Sequence, residues 1–140
     1  MREPGTESGG DPREIRALAD VLHASGETYR RDGDFARAAE FFRKSLEILG
    51  AAGSPDRQVE VRLDLARVLV RLGDVDEASR LVEAAREGLG GEGDPRVRAE
   101  CHQLLGSIAR GRGRPADAET HYNRALELYG EVRDDHGVAA

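Results

Sequence analysis

The sequence predicts an all-α solenoid of three helical hairpins, with six main helices. Residue types return at a constant step, glycines stand where first helices would end, and a capping residue with proline stands where first helices would begin. The step is 40, as the positions of Gly33, Gly73 and Gly113 show. A period in this range is typical of stacked supersecondary units. Because a single hairpin cannot bury its apolar face alone, three of them form a minimal stable array.

Each unit is predicted to contain two helices joined by a tight turn. A first helix begins at an N-cap residue followed by proline, whose missing N–H would have no intrahelical partner at that position. The three starts are Asp11-Pro12, Ser54-Pro55 and Asp94-Pro95. The glycines at 33, 73 and 113 then supply the left-handed backbone that a helix C-cap favours. The second helix follows at once, at Asp34, Asp74 or Pro115, so the two helices are expected to be antiparallel.

One face of each second helix combines small and large side chains at helical spacing. The small ones are Ala38, Ala78, Ala118, Ser45, Ala85 and Ala125, and the large ones are Phe42, Val82 and Tyr122. Small residues also recur in the first helices, at Gly26, Ala66 and Gly106. A small residue lets two helix backbones approach closely, and a large one fills the adjoining gap. We interpret the pattern as a packing code.

The segment "SGETYRRDGDFARAAEFFRKSLEI" resembles a tetratricopeptide repeat, and two further copies follow it in phase. The resemblance implies a right-handed α-solenoid with repeats at about residues 11–50, 54–90 and 94–130, in an array over 11–133. Residues 1–10 are then expected to be a flexible lead-in, and residues 134–140 the start of an absent fourth repeat. The step of 40 exceeds the usual period of about 34. It is similar to that of longer-period bacterial arrays in transcriptional regulators and signalling ATPases.

Composition and charge exclude several classes of protein. The chain has 140 residues, of which 39% are hydrophobic and 34% charged, too apolar for a disordered chain and too charged for a membrane protein. The formal net charge of −6 argues against nucleic acid as a partner, since phosphate binding needs a basic surface. A single cysteine, Cys101, allows no intrachain disulfide. We therefore expect a cytoplasmic protein that binds neither nucleic acid nor membrane.

The sequence contains no recognisable motif for catalysis, cofactor binding or metal binding. The glycines near residue 92 lack a preceding strand and a Lys-Ser/Thr pair, and no serine lies in a nucleophile elbow. Cys101, His102 and His121 could be drawn together as metal ligands, but adjacent helix residues point in different directions. Cys101 is instead expected to be a small, buried or half-buried hydrophobic residue. We predict no enzyme activity, no cofactor and no metal.

The resemblance also implies a binding surface, because first helices of the family line a concave groove that holds a peptide. Carried over by position, the groove residues are Asp20, His23, Glu27, Arg30, Arg31, Glu60, Leu63, Asp64, Arg67, Arg71, Glu100, Gln103, Ser107 and Arg110. Each first helix is acidic early and basic late, which predicts a partner of mixed charge and salt-sensitive binding. The alternative is that these charges only complement the helix dipole and pair within their own helix.

The functional prediction is a non-enzymatic interaction module that binds a protein or peptide in this groove. The alternative is a ligand- or peptide-sensing segment of a bacterial transcriptional regulator or signalling ATPase, which the long period favours. The last predicted helix displays Leu126, Leu128 and Tyr129. This apolar set predicts a segment excised from a longer protein, a homodimer through the C-terminal helix, a partner packed on it, or an end that is simply exposed.

Overall fold

The computed structural model describes residues 10–89 and 93–135, and these residues form six α-helices without any strand. The helices are α1 Pro12–Arg31, α2 Phe35–Ala52, α3 Pro55–Leu72, α4 Val75–Leu89, α5 Pro95–Gly111 and α6 Pro115–Asp135. Consecutive helices form three hairpins, α1–α2, α3–α4 and α5–α6. The hairpins stack in chain order, with α2 packed on α3 and α4 packed on α5. The predicted all-α solenoid of three hairpins is confirmed.

The helices begin and end close to the positions that the sequence predicted. Aspartate side chains cap α1, α2 and α5 by accepting hydrogen bonds from backbone N–H groups of the first turn. The capping residues are Asp11, Asp34 and Asp94. Ser54 occupies the same position before α3, but its side chain makes no capping hydrogen bond. The turn glycines adopt the left-handed backbone expected of them, with φ of +82° at Gly33, +88° at Gly73 and +74° at Gly113.

The two helices of a hairpin approach most closely where a glycine faces an aromatic ring. In the first hairpin, a Cβ atom added to Gly26 would lie only 2.6 Å from the ring of Phe42, which is fully buried. In the third hairpin, a Cβ atom added to Gly106 would lie 2.6 Å from the ring of Tyr122. Since real Cβ atoms do not approach other atoms so closely, each aromatic ring occupies the space that the glycine leaves free.

The second hairpin forms the corresponding helix–helix contact with side chains of different size. It has Ala66 where the other hairpins have glycine and Val82 where they have an aromatic ring, and both residues are fully buried. An extra methyl group on the first helix is thus accompanied by a smaller side chain on the second. The other small residues of the second helices are buried as well, namely Ala38, Ser45, Ala78, Ala85, Ala118 and Ala125. The predicted packing face is therefore confirmed.

Helix α6 buries part of the apolar set that was expected on its surface. The expectation that Leu128 is displayed is wrong, because this residue is fully buried on a helix that packs extensively on α5. Tyr129 is half-buried, and its hydroxyl donates a hydrogen bond to Oε1 of Gln103 at 3.2 Å. Leu126 is 70% exposed. Of these three residues, Leu126 is therefore the one that a homodimer through α6 could still bury.

The two ends of the chain lie largely outside the described residues. Of the predicted lead-in at 1–10, the structure describes Gly10, and of the predicted tail at 134–140, it describes the end of α6. Both predictions consequently remain predictions. Among the described residues, no helix combines the length and the apolar character that crossing a membrane requires.

Cys101 is a buried residue of the core, as predicted. Its side chain is 1% exposed, and burial raises the pKa of its thiol to about 11. The neighbouring His102 points elsewhere, with its Nδ1 atom 3.1 Å from Nδ1 of His121 on α6. Within the described part of the chain, these three residues do not converge as a set of metal ligands.

Gly26→Ala is expected to destabilise the fold, because the added methyl group would overlap the ring of Phe42. Overpacking of this kind costs about 1–3 kcal/mol. The double variant Gly26→Ala/Phe42→Val copies the Ala66 and Val82 pair of the second hairpin. It should lose less free energy of unfolding than the two single variants lose in sum. Urea unfolding of the two single variants and the double variant would measure this as a favourable coupling energy.

Gly50→Ala is the matched control for this experiment. Gly50 lies within α2, and a Cβ atom added there would meet nothing within 4 Å. The same substitution should therefore stabilise the chain by about 0.5–1 kcal/mol through helix propensity alone. Equal effects at Gly26 and Gly50 would show that the close helix contact is not a constraint on the fold.

Ala78→Glu is expected to abolish cooperative folding or to lower the melting temperature strongly. Ala78 is 0% exposed, so the substitution places an unpaired carboxylate between packed helices. Ala36→Glu makes the same chemical change at an exposed position of α2 and should be nearly neutral. Thermal unfolding followed by circular dichroism would compare the two, and a near-normal melting temperature for Ala78→Glu would contradict the assigned packing face.

Candidate binding groove

The first helices α1, α3 and α5 run in the same direction, because each is followed by an antiparallel second helix. Their side chains line two cavities, with contributions from neighbouring helices and connectors. We call these the basic cavity and the acidic cavity, and we use "groove" for the surface that the three helices form around them. The groove is the surface on which the sequence placed the predicted binding residues.

The basic cavity has a volume of about 300 Å³ and is bordered by the C-terminal halves of α1 and α3. Its lining residues are Arg30, Phe35, Arg67, Val68, Val70, Arg71, Gln103, Leu104 and Ser107. The guanidinium carbon of Arg71 lies 4.7 Å from the centroid of the Phe35 ring, within cation–π distance. The cavity thus combines guanidinium groups with apolar side chains.

The acidic cavity has a volume of about 570 Å³ and is bordered by the N-terminal halves of α3 and α5. Its carboxylates are Asp56, Glu60, Asp64, Asp94 and Glu100, and its apolar residues are Val59, Leu63, Leu89 and Val97. Gly88 and Gly93 complete the lining. The acidic-early, basic-late order of the first helices therefore becomes a separation of charge along the groove.

Arg67 lies between the two cavities and joins two helices by ion pairs. Its guanidinium contacts Asp64 of its own helix and Glu100 of α5. Arg67 lines the basic cavity, whereas both of its partners line the acidic cavity. Pairing within one helix accounts for the contact with Asp64, but the contact with Glu100 fixes α3 against α5.

His23 of α1 is surrounded by carboxylates from two helices. Its Nε2 atom lies 2.7 Å from Oδ2 of Asp64 and 4.0 Å from Oε1 of Glu27. Its Nδ1 atom lies 3.9 Å from Oε1 of Glu60. The hydrogen bond to Asp64 raises the pKa of His23, although burial acts in the opposite direction. The imidazole also packs against the ring of Phe42, with a centroid separation of 5.4 Å.

The structure groups most of the predicted groove residues but not all of them. The residues that line a cavity are Arg30, Glu60, Leu63, Asp64, Arg67, Arg71, Glu100, Gln103 and Ser107. His23 and Glu27 lie beside Asp64, and Asp20 forms an ion pair with Arg57. Leu63 is only 2% exposed and belongs mainly to the core. Arg31 and Arg110 are exposed and line neither cavity.

Sequence reasoning missed most of the apolar residues of both cavities, although it did include Leu63 of the acidic cavity. Phe35 and Leu104 look like ordinary core residues in the helical pattern, and Phe35 belongs to a second helix rather than a first. Asp56 and Val97 lie near the beginnings of α3 and α5, where their neighbours depend on how successive hairpins are seated. Phe35 could have been noticed because it precedes the buried packing face by one turn.

A family model described as "Tetratricopeptide repeat" matches the chain over residues 17–90 and again over residues 58–131. The chain belongs to the tetratricopeptide repeat family. Tetratricopeptide repeats generally mediate protein–protein interactions, and their fold is typical of scaffolds.

Two similar proteins extend this comparison. The chain is 36% identical over 69 residues to "Tetratricopeptide repeat protein 29" of Trypanosoma brucei brucei (strain 927/4 GUTat10.1), covering 49% of this chain and 14% of that protein. The crystal structure of BtubC (BKLC) from P. vanneervenii superimposes with a TM-score of 0.70 at 22% identity, over 83% of this chain and 48% of that one. The second comparison shows a shared fold. This tetratricopeptide repeat chain spans less than half the length of either relative.

Arg67→Gln is expected to lower the free energy of unfolding by about 1 kcal/mol, because Asp64 and Glu100 lose the cation they share. The loss stays modest because the Arg67 side chain is 39% exposed and water screens the pairs. The double variant Arg67→Gln/Glu100→Gln should recover part of the lost free energy of unfolding. Arg86→Gln is the control, since its pair with Glu83 is exposed on both sides and should contribute about 0–0.5 kcal/mol. Urea unfolding would compare them, and equal losses would contradict a special role for Arg67.

Proposed function

We propose that the chain is a non-enzymatic module that binds a protein or peptide segment of mixed charge along the groove. The supporting observation is the pair of adjacent cavities of opposite charge, which together span α1, α3 and α5. A segment with suitably spaced charges could place an acidic side chain in the basic cavity and a basic side chain in the acidic cavity at the same time. Binding would make and break no covalent bond.

The basic cavity suits an acidic side chain or a carboxylate that is attached to an apolar group. Among the ion pairs of the described residues, Arg71 takes part in none, while Arg30 and Arg67 are each paired. The guanidinium carbon of Arg71 lies 4.7 Å from the centroid of the Phe35 ring, and a guanidinium that stacks on a ring can also form a bidentate contact with a carboxylate. Val68 and Leu104 would bury the apolar part of the same ligand.

The acidic cavity suits a lysine or arginine side chain of the partner. Such side chains bury an aliphatic stem on apolar surface and keep the charged head near polar groups. Val59, Leu89 and Val97 would contact the stem, and Asp56 and Glu60 would receive the charge. Both carboxylates are exposed, so they are accessible to an incoming cation.

The binding surface is expected to be preformed, and binding is expected to weaken as the salt concentration rises. The first helices are held by the buried core and by the Arg67 ion pairs, so little backbone rearrangement would be needed on binding. Charged groups at the rim of an interface mainly accelerate association and select partners, and salt screens them.

Arg71→Glu is expected to weaken peptide binding at least about tenfold, because it places a carboxylate where the partner's carboxylate would bind. The ligands would be peptides selected from a random display library on the wild-type chain, with affinities measured by fluorescence polarisation at low and high salt. Arg16→Glu makes the same charge change at an exposed position of α1 that lines neither cavity, and it should leave the affinity unchanged.

Two results would contradict the proposal. One is a set of selected peptides that lacks acidic or basic residues. The other is equal binding to the wild-type chain and to Arg71→Glu when circular dichroism shows that both are folded.

A further inference from the structure

Three metal-ligating atoms converge between α1 and α3, at the border of the acidic cavity. They are Nε2 of His23, Oε1 of Glu27 and Oδ2 of Asp64, and each of these atoms lies within 4.8 Å of the other two. His23 and Glu27 are one helical turn apart on α1, so they share a face, and Asp64 reaches them from α3. We propose that these residues form a binding site for a divalent transition-metal ion, for which Zn²⁺ is the natural probe.

Each carboxylate is already oriented by an arginine. Arg30 binds Oε2 of Glu27 at 2.7 Å, which leaves the Oε1 atom directed toward His23. In the same way Arg67 binds Oδ1 of Asp64, and the Oδ2 atom faces His23. Outer partners that hold ligating carboxylates in position are a regular feature of metal sites. The two arginines therefore occupy the oxygens that the metal would not use.

The imidazole of His23 is oriented as well. Its ring packs on Phe42, and its Nδ1 atom faces the Glu60 carboxylate at 3.9 Å, while Nε2 faces the other two carboxylates. Histidine ligands commonly direct the second ring nitrogen toward a carboxylate or carbonyl in this way. The side chains of His23, Glu27 and Asp64 are 14%, 23% and 16% exposed, which keeps them half-buried but reachable from the groove.

The local charge favours a cation of this valence. The ion pairs around His23 include four carboxylates, from Glu27, Glu60, Asp64 and Glu100, and two guanidinium groups, from Arg30 and Arg67. When a bound ion takes the place of the His23 proton, two negative charges remain in excess, and a divalent ion would balance them. Neighbouring Asp20 does not alter this balance, because it is paired with Arg57.

Binding of one ion would require the three ligand atoms, which lie within 4.8 Å of one another, to adjust their separations. Metal–ligand distances of about 2.0–2.2 Å place neighbouring tetrahedral ligands about 3.3 Å apart. The contact of His23 with Asp64 at 2.7 Å would have to open slightly, and that with Glu27 at 4.0 Å would have to close. One nitrogen and two carboxylate oxygens suit Zn²⁺, Co²⁺ or Mn²⁺ better than Ca²⁺, which prefers six to eight oxygens. Three protein ligands leave a fourth position for water.

The experiment is a titration of the untagged, metal-free chain with Zn²⁺ by calorimetry, and with Co²⁺ by visible absorption. We expect one ion per chain, with Ca²⁺ unable to displace it. Glu27→Gln and Asp64→Asn remove one ligand each while keeping the size of the side chain. Each should weaken Zn²⁺ binding at least about tenfold, since even the loss of an outer partner costs 10–100-fold at many sites. Two independent variants keep the test valid if one of them does not fold.

Two control variants assign the site. Glu14→Gln removes a negative charge from the exposed start of α1, outside the proposed ligands, and His121→Gln removes one member of the close pair formed by His102 and His121. Both should bind Zn²⁺ as the wild-type chain does. Absence of Zn²⁺ heat and of a Co²⁺ absorption band would overturn the proposal, as would binding that is lost in His121→Gln but kept in Asp64→Asn. Neither outcome bears on the peptide proposal, which Arg71→Glu tests separately.

Discussion

The contact between one small residue and one large side chain determines how closely the two helices of each hairpin can approach. Phe42 shows what depends on this contact, because the ring lies against Gly26 and also packs on His23. The same side chain therefore controls the helix separation and supports a residue of the groove. This contact positions the backbone of α1. The packing of the core therefore also determines where the groove side chains of α1 lie.

The charges of the groove are arranged by helix direction as well as by residue type. Acidic residues early and basic residues late in a helix are favoured by the helix dipole. Because α1, α3 and α5 run in the same direction, these preferences add up across the stack to an acidic cavity and a basic cavity. An arrangement that stabilises single helices thereby also separates negative from positive charge along the assembled surface. Arg67 lies at the boundary between the two cavities, where it pairs with acidic residues of both α3 and α5.

The fold could be predicted because its determinants are local and repeated. Gly33, Gly73 and Gly113 specify their turns by their own backbone preference, and the buried alanines follow from helical spacing. The surface of α6 was predicted less well, because the choice between Leu126 and Leu128 depends on how this helix is rotated against α5. A rotation of this kind is set by the packing of whole helices, and no single motif encodes it.

The site was predictable only in part for a related reason. Position in the first helices placed most charged residues in the groove, but contact between His23 and Asp64 joins residues that are 41 positions apart. That contact depends on the offset between two hairpins, which the sequence repeat does not specify. Most apolar residues of the cavities, such as Phe35, were missed because burial in a core and exposure to a cavity produce the same sequence pattern.

The burial of Cys101 has a practical consequence for studying motion in this chain. A thiol needs to be deprotonated and accessible before it reacts, and this one is neither, since its pKa is about 11 and its side chain is 1% exposed. It is also the single cysteine of the sequence. The rate at which an alkylating reagent modifies the chain would therefore report how often α5 separates from its neighbours, without the introduction of any label.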